Sequence, residues 1–166
     1  MVIGDIHIQW EGPHQVSQAL GLTAPTDYGL YQVYGCHPVY GVGTLLYIGK
    51  ARDQTFSTRL KQESWDDYAD WEGKVTIYVG RLLGSETPSD ARWNREIDCA
   101  EALLINAHKP AHNQVGIRYL SPRTDRAVRE VHVFNWGDFA SLLPEVTGHR
   151  WSSKADDISE YLPYGS

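Results

Sequence analysis

Apolar and polar positions alternate with period two in two stretches near the start of the chain. In GLYQVYG (29–35), Leu30, Gln32 and Tyr34 fall on one side and Tyr31 and Val33 on the other, the pattern of a strand. TLLYIGKA (44–51) is more continuously apolar, as a central strand would be. The segment between them, CHPVYGVG, is rich in Gly and Pro, so an antiparallel hairpin is the simplest link. The period then lengthens. FSTRLKQES (56–64) places Phe56 and Leu60 one helical turn apart, and KVTIYVGRLL (74–83) returns to alternation through Val75, Ile77 and Val79. SDARWNREIDCAEALLINAHKP (89–110) carries the strongest helical pattern, with Ile97, Ala100, Leu103, Leu104 and Ala107 on one stripe. Ser89 suits its N-cap, Asp90 its first turn, and Pro110 its stop.

The flanks read as additions to this β-β-α-β-α order. Residues 1–27 form an N-terminal extension, with a short strand at IHIQW, a short helix at PHQVSQALGL and a linker at TAPTD. Residues 117–166 form a C-terminal extension: a basic hairpin, a strand at REVHVFN, a helix at WGDFASLLPEV and a last helix at ADDISEYL. The expected fold is α+β, an α/β sandwich in which helices flank a small, mostly antiparallel central sheet. Residues 28–116 are its core, and the extensions pack on that core as one domain.

Composition narrows the possibilities. The chain has 166 residues, 42% of them hydrophobic and 22% charged, ordinary for a single globular domain. Its net charge of −6 argues against non-specific coating of nucleic acid. The one local excess of positive charge is Arg118, Arg123, Arg126 and Arg129, set against Asp125 and Glu130. These arginines suit either a solvated surface or an arm that contacts phosphates. The two cysteines, Cys36 and Cys99, fit a reducing, cytoplasmic setting better than a disulfide framework. No apolar run is long enough to span a membrane.

Glu101 stands out on the long helix. It lies beside the apolar stripe, between Ile97, Leu104 and Ile105, where a carboxylate is costly unless a cation, backbone donors or a metal compensate it. Its simplest reading is a partly exposed residue at the edge of the stripe.

Glu101 has company. Gly29-Leu30-Tyr31 and Tyr47-Ile48-Gly49-Lys50-Ala51, followed in order by Arg59, Glu101 and Asn113, resemble the motifs of the GIY-YIG nucleases across residues 28–116. The resemblance implies a divalent-metal-dependent endonuclease that hydrolyses phosphodiester bonds of DNA, leaving a 5′-phosphate and a 3′-hydroxyl. It implies Tyr31 as general base, Tyr47 as its partner, Arg59 as phosphate clamp and Asn113 as the residue that holds loop and site together. Glu101 would hold a single Mg²⁺ or Mn²⁺, and Tyr31, Tyr47, Arg59 and Glu101 would converge on one cleft. The chemistry is coherent. One carboxylate can hold a hard cation that keeps most of its waters, an arginine can fork two donors onto a phosphate, and Lys50 is the cation placed to lower the phenol of Tyr31. The bland alternative for both tyrosines is cross-strand packing.

One position departs from the family pattern. Many members carry His or Tyr one turn after the arginine, and here that residue is Glu63. An i,i+4 Arg59–Glu63 pair would either orient the arginine or neutralise it. The alternative function is therefore a silenced nucleic-acid- or partner-binding module on the same scaffold, and a third is an RNA-directed nuclease. The DNA could be duplex, branched or single-stranded, and a homo-oligomer is possible. The acidic run at 63–72, with Trp65, Tyr68 and Trp71, suits a solvated loop or a lip that stacks unpaired bases. His108 and His112 straddle Pro110 and so do not share the helix face that a zinc pair would need.

Overall fold

The computed structural model describes residues 4–64 and 75–148, apart from the side chains of Pro122, Arg123 and Asp125. Its elements are β1 (Asp5–Gln15), α1 (Val16–Ala19), β2 (Gly29–His37), β3 (Gly41–Ala51), α2 (Phe56–Leu60), β4 (Thr76–Leu83), α3 (Asp90–His108), α4 (Pro122–Val128), β5 (His132–Gly137) and β6 (Glu145–Thr147). The class is α+β. One six-stranded sheet runs in the order β3-β2-β4-β1-β5-β6. Every neighbouring pair is antiparallel except β1 with β5.

The two faces of the sheet carry separate cores, because side chains alternate along each strand. Ile6, Ile8, Trp10, Leu30 and Ile48 pack towards the apolar stripe of α3. Tyr31, Val33, Leu46, Ile77 and Val79 pack on the other side with Phe56 and Leu60 of α2 and Ala19 of α1. The β2–β3 hairpin forms as its pattern predicts, pairing Tyr31 with Gly49 and Val33 with Tyr47.

The flanks differ from the sequence reading. Residues 1–27, read as an extension, supply an interior strand of the same sheet, since β1 lies between β4 and β5. The helix expected from residue 13 starts only at Val16. Pro13 instead sits in β1 at a shift of register between Glu11 and His14, the kind of irregularity that accommodates a residue unable to donate. The basic segment is not a hairpin. Ser121 caps a helix by accepting from Thr124 N at 3.2 Å, and Arg123 and Arg126 lie in that helix, α4, with Arg129 at its C-cap. WGDFASLLPEV forms no helix. Gly137 and Ala140 take positive φ of 71° and 52°, and Asn135 accepts from Trp10 Nε1 and donates to Leu143 O, both at 2.8 Å. The chain thereby turns back into β6. The helix expected at 155–162 and most of the acidic run, including Trp65, Tyr68 and Trp71, lie outside the described residues.

Candidate active site

Two glycines shape the hairpin. Gly29 has φ of 150°, and a Cβ there would run into the carbonyl oxygen of Gly80 on the neighbouring strand, so only glycine fits. A Cβ at Gly49 would lie 2.5 Å from the Tyr31 hydroxyl and 2.6 Å from Tyr47 Cε1. The missing side chain is what lets both tyrosines fold over the strand. Their ring centroids are 6.1 Å apart, tilted by 40°.

Arg59 reaches this pair from α2, which Thr55 caps by accepting from Thr58 N. Its Cζ lies 5.8 Å from the centroid of the Tyr31 ring, and its pKa, lowered by burial, is raised overall by Tyr31, Glu63 and Tyr47 around it. Glu63 closes the group. Its Oε1 lies 2.7 Å from Arg59 Nη2 and accepts the Tyr31 hydroxyl at 2.5 Å. The Glu63 side chain is only 12% exposed, and Tyr31 is fully buried. Burial, and then the Glu63 carboxylate, push the Tyr31 phenol far above its ordinary value. Burial likewise raises Tyr47.

Lys50 does not lower Tyr31, because strand alternation turns it to the other face. There its Nζ sits 2.6 Å from Glu101 Oε2 and 3.0 Å from Asp98 Oδ1. Burial raises the Glu101 carboxyl, against the pull of Lys50. For Lys50, the downward pull of burial is outweighed by the two carboxylates, so its amine is raised. Arg52 Nη1 donates to Asp98 Oδ2 at 2.9 Å. Asp98 Oδ1 is buried and out of line for a hydrogen bond, although the Lys50 ammonium is close.

Asp98 is a site residue that the motif reading missed. Its i,i+3 spacing to Glu101 was the available signal, since such residues share a helix face. The donor set is right for a hard divalent cation: oxygen ligands, few in number, beside an open cleft of about 900 Å³. Among the described residues, no group of three or more His, Cys, Asp or Glu side chains converges on a metal position. The pair therefore suits an ion that keeps most of its waters and competes with Lys50 for the carboxylates.

Asn113 straps the edge strand. Its Oδ1 accepts from Ile48 N at 2.9 Å and its Nδ2 donates to Ile48 O at 3.0 Å. Ala111 N and His112 N bond to Leu45 O and Leu46 O. Residues 111–113 thus follow β3 as a further strand would, covering its edge.

The expected convergence of Tyr31, Tyr47, Arg59 and Glu101 on one cleft does not hold: strand alternation sets Tyr31 and Glu101 on opposite faces of the sheet, and the six motif residues fall into two groups about β3. Tyr31, Tyr47 and Arg59 gather on the α2 face, Lys50 and Glu101 on the α3 face, and Asn113 lies along the edge. Tyr47 belongs to both groups, because it also lines the cleft with Lys50, Asp98, Glu101 and Asn113. The far wall of that cleft includes Tyr119, Ser121 and Thr124, so the basic segment borders it. Arg118, Arg126 and Arg129 are exposed, whereas the Arg123 side chain lies outside the described residues. Burial pushes the Cys99 thiol up to about 11, which leaves it unreactive. His108 spends both ring nitrogens on the backbone of Leu104 and Leu143. No helix of the described residues is long and apolar enough to cross a membrane. Comparison with protein-family models, curated proteins and solved structures finds no match for this chain.

Proposed function

We propose that this chain is a divalent-metal-dependent endonuclease that hydrolyses phosphodiester bonds of DNA through a GIY-YIG-type site. One observation carries the reading: Tyr31, Tyr47, Arg59, Lys50, Glu101 and Asn113, spread over more than eighty positions of sequence, gather around one edge strand. The β-β-α-β-α order of β2 to α3, with strands ordered β3-β2-β4, supports it.

Arg59 is the group that would hold the scissile phosphate, with two N–H donors facing two oxygens. Tyr47, beside Arg59 and lining the cleft, would orient the attacking water. Tyr31, whose phenol is raised, stays protonated at neutral pH and acts as a donor in this arrangement rather than as a phenolate. Glu101 would hold Mg²⁺ or Mn²⁺ with Asp98 beside it, and the ion would supply charge stabilisation at the phosphate and the leaving oxygen. Arg118 and Arg126 would meet flanking phosphates.

The test is incubation of the full chain with Mg²⁺ or Mn²⁺ and duplex, single-stranded and branched DNA, with RNA alongside. The wild type should cut, leaving 5′-phosphate ends. Glu101→Ala should bind with similar affinity and cut about 10³-fold more slowly, the order expected when a main source of transition-state charge stabilisation is lost. If nothing is cut, or if the variant cuts as well as the wild type, the nuclease reading fails. Glu63 favours a second reading, a binding module with a silenced site, because it already holds Arg59 and Tyr31. Binding without cleavage by the wild type is its signature. Cleavage of RNA alone would reassign the substrate.

A further inference from the structure

We propose that Glu63 is a built-in occupant of the phosphate position formed by Arg59 and Tyr31, which a phosphodiester must displace before it can bind. The proposal rests on Arg59 being the phosphate clamp and adds what fills that clamp in the free protein.

The geometry is that of an anion in its site. One carboxylate oxygen meets groups from two elements: it is ion-paired with the guanidinium of α2 at 2.7 Å and accepts the phenol of β2 at 2.5 Å. The second is the length of a hydrogen bond to a charged acceptor. A phosphodiester oxygen offers the same donors the same features: one delocalised negative charge and lone pairs open to a guanidinium and a hydroxyl. An ordinary i,i+4 ion pair on a helix surface is solvated and involves no third group. This one is largely shielded, with Glu63 12% and Arg59 22% exposed, over a tyrosine that is fully buried.

The way the carboxylate is delivered matters as much. Glu63 lies beyond the last residue of α2, held in a turn by Gln62 N and Glu63 N bonding to Arg59 O and Leu60 O. Its neighbours Lys61, Gln62 and Ser64 are exposed. Withdrawal of this short turn would uncover Arg59 and Tyr31 without disturbing the pairing of β2 with β3.

The probe is dimethyl phosphate, the smallest phosphodiester, titrated into the full-length wild type, Glu63→Gln, Glu63→Ala and the double variant Arg59→Ala/Glu63→Gln. Binding is followed by NMR of tyrosine ring and arginine side-chain signals. The amide of Glu63→Gln still accepts from Tyr31, so that variant removes the charge with the least change of shape. Both Glu63 variants should bind at least about tenfold more tightly than the wild type, a change of about 1.4 kcal/mol. Arg59→Ala should abolish the gain. Equal affinity, a gain that survives Arg59→Ala, or no measurable binding by any variant overturns the proposal. A cleavage panel run in parallel tests the nuclease reading separately, since the phosphate titration requires no cleavage.

Discussion

Asn113 makes a claim that can be weighed in free energy. Its side-chain amide satisfies both backbone groups of Ile48 at once, donating at 3.0 Å and accepting at 2.9 Å. Asn113 is 8% exposed and Ile48 fully buried, so water cannot replace the amide. Asn113→Ala strands an N–H and a C=O in the place where the 111–113 segment covers them. Each stranded group costs about 1–3 kcal/mol, the range for buried polar groups left unpaired. Freedom regained by the shorter side chain returns less than about 1 kcal/mol. The expected net loss is about 1–5 kcal/mol, or about 2–20 °C in Tm for a chain of this size. Urea unfolding followed by tryptophan fluorescence should show a lower midpoint with an unchanged slope. Asn113→Asp is the sharper variant. Its carboxylate can still accept from Ile48 N but opposes Ile48 O, so it should be no more stable than the alanine variant. A loss below about 1 kcal/mol, or wild-type stability for the aspartate variant, would refute the account of Asn113 as a strap.

Other predictions follow from the same geometry. Burial lowers the His108 pKa, and His108 accepts from Leu143 N. Its contribution is therefore present above the ordinary histidine value of about 6.5 and lost as pH falls through the depressed folded value. His108→Gln should flatten that loss in urea midpoints measured from pH 8 to pH 4. Arg126→Ala, on the exposed side of α4, should weaken nucleic-acid binding. It should also reduce the slope of log affinity against log salt by about 0.7–0.9, one phosphate contact's worth, and an unchanged slope would remove α4 from the interface.

The core was legible where one periodicity ran long enough to decide. The stripe of α3 and the alternation of β2 and β4 have local causes, and all three elements form with the expected ends to within a residue or two. The flanks depend on tertiary partners. Trp10 and Asn135 are 125 positions apart, yet their hydrogen bond helps turn residues 136–146 away from the helix that Phe139, Leu142 and Leu143 suggest. IHIQW reads as a short peripheral strand because nothing local records that β4 and β5 will flank it. The candidate site was legible as residue types in order; that Asn113 straps Ile48 depends on how 111–113 runs along β3 and was not. The direction of Lys50 could be read from strand parity alone: Ile48 and Lys50 share one face, and Tyr47 and Gly49 the other. The part played by Glu63 could not, because a one-turn spacing predicts the ion pair with Arg59 but says nothing of a hydroxyl arriving from β2.

That third contact decides how Tyr31 can act. Its phenol is raised first by burial, then by hydrogen bonding to Glu63, then by the charge of Glu63, and the nearby Arg59 pulls it down. Two of the three largest influences thus come from one carboxylate. Withdrawal of Glu63 frees the guanidinium and removes both until another anion takes its place, leaving Arg59 as the nearest charge on the phenol. Release of the clamp and release of the phenol would then be a single event. In Glu63→Gln the amide still accepts the hydroxyl but carries no charge, so Tyr31 should titrate at lower pH than in the wild type. Carbon-13 labelling at tyrosine Cζ resolves each phenol as pH is raised, and Tyr31→Phe assigns the signal. If Tyr31 in Glu63→Gln titrates no earlier than in the wild type, burial alone sets its pKa. The coupling between clamp and phenol would then be absent, and Tyr31 would remain a neutral donor whatever occupies Arg59.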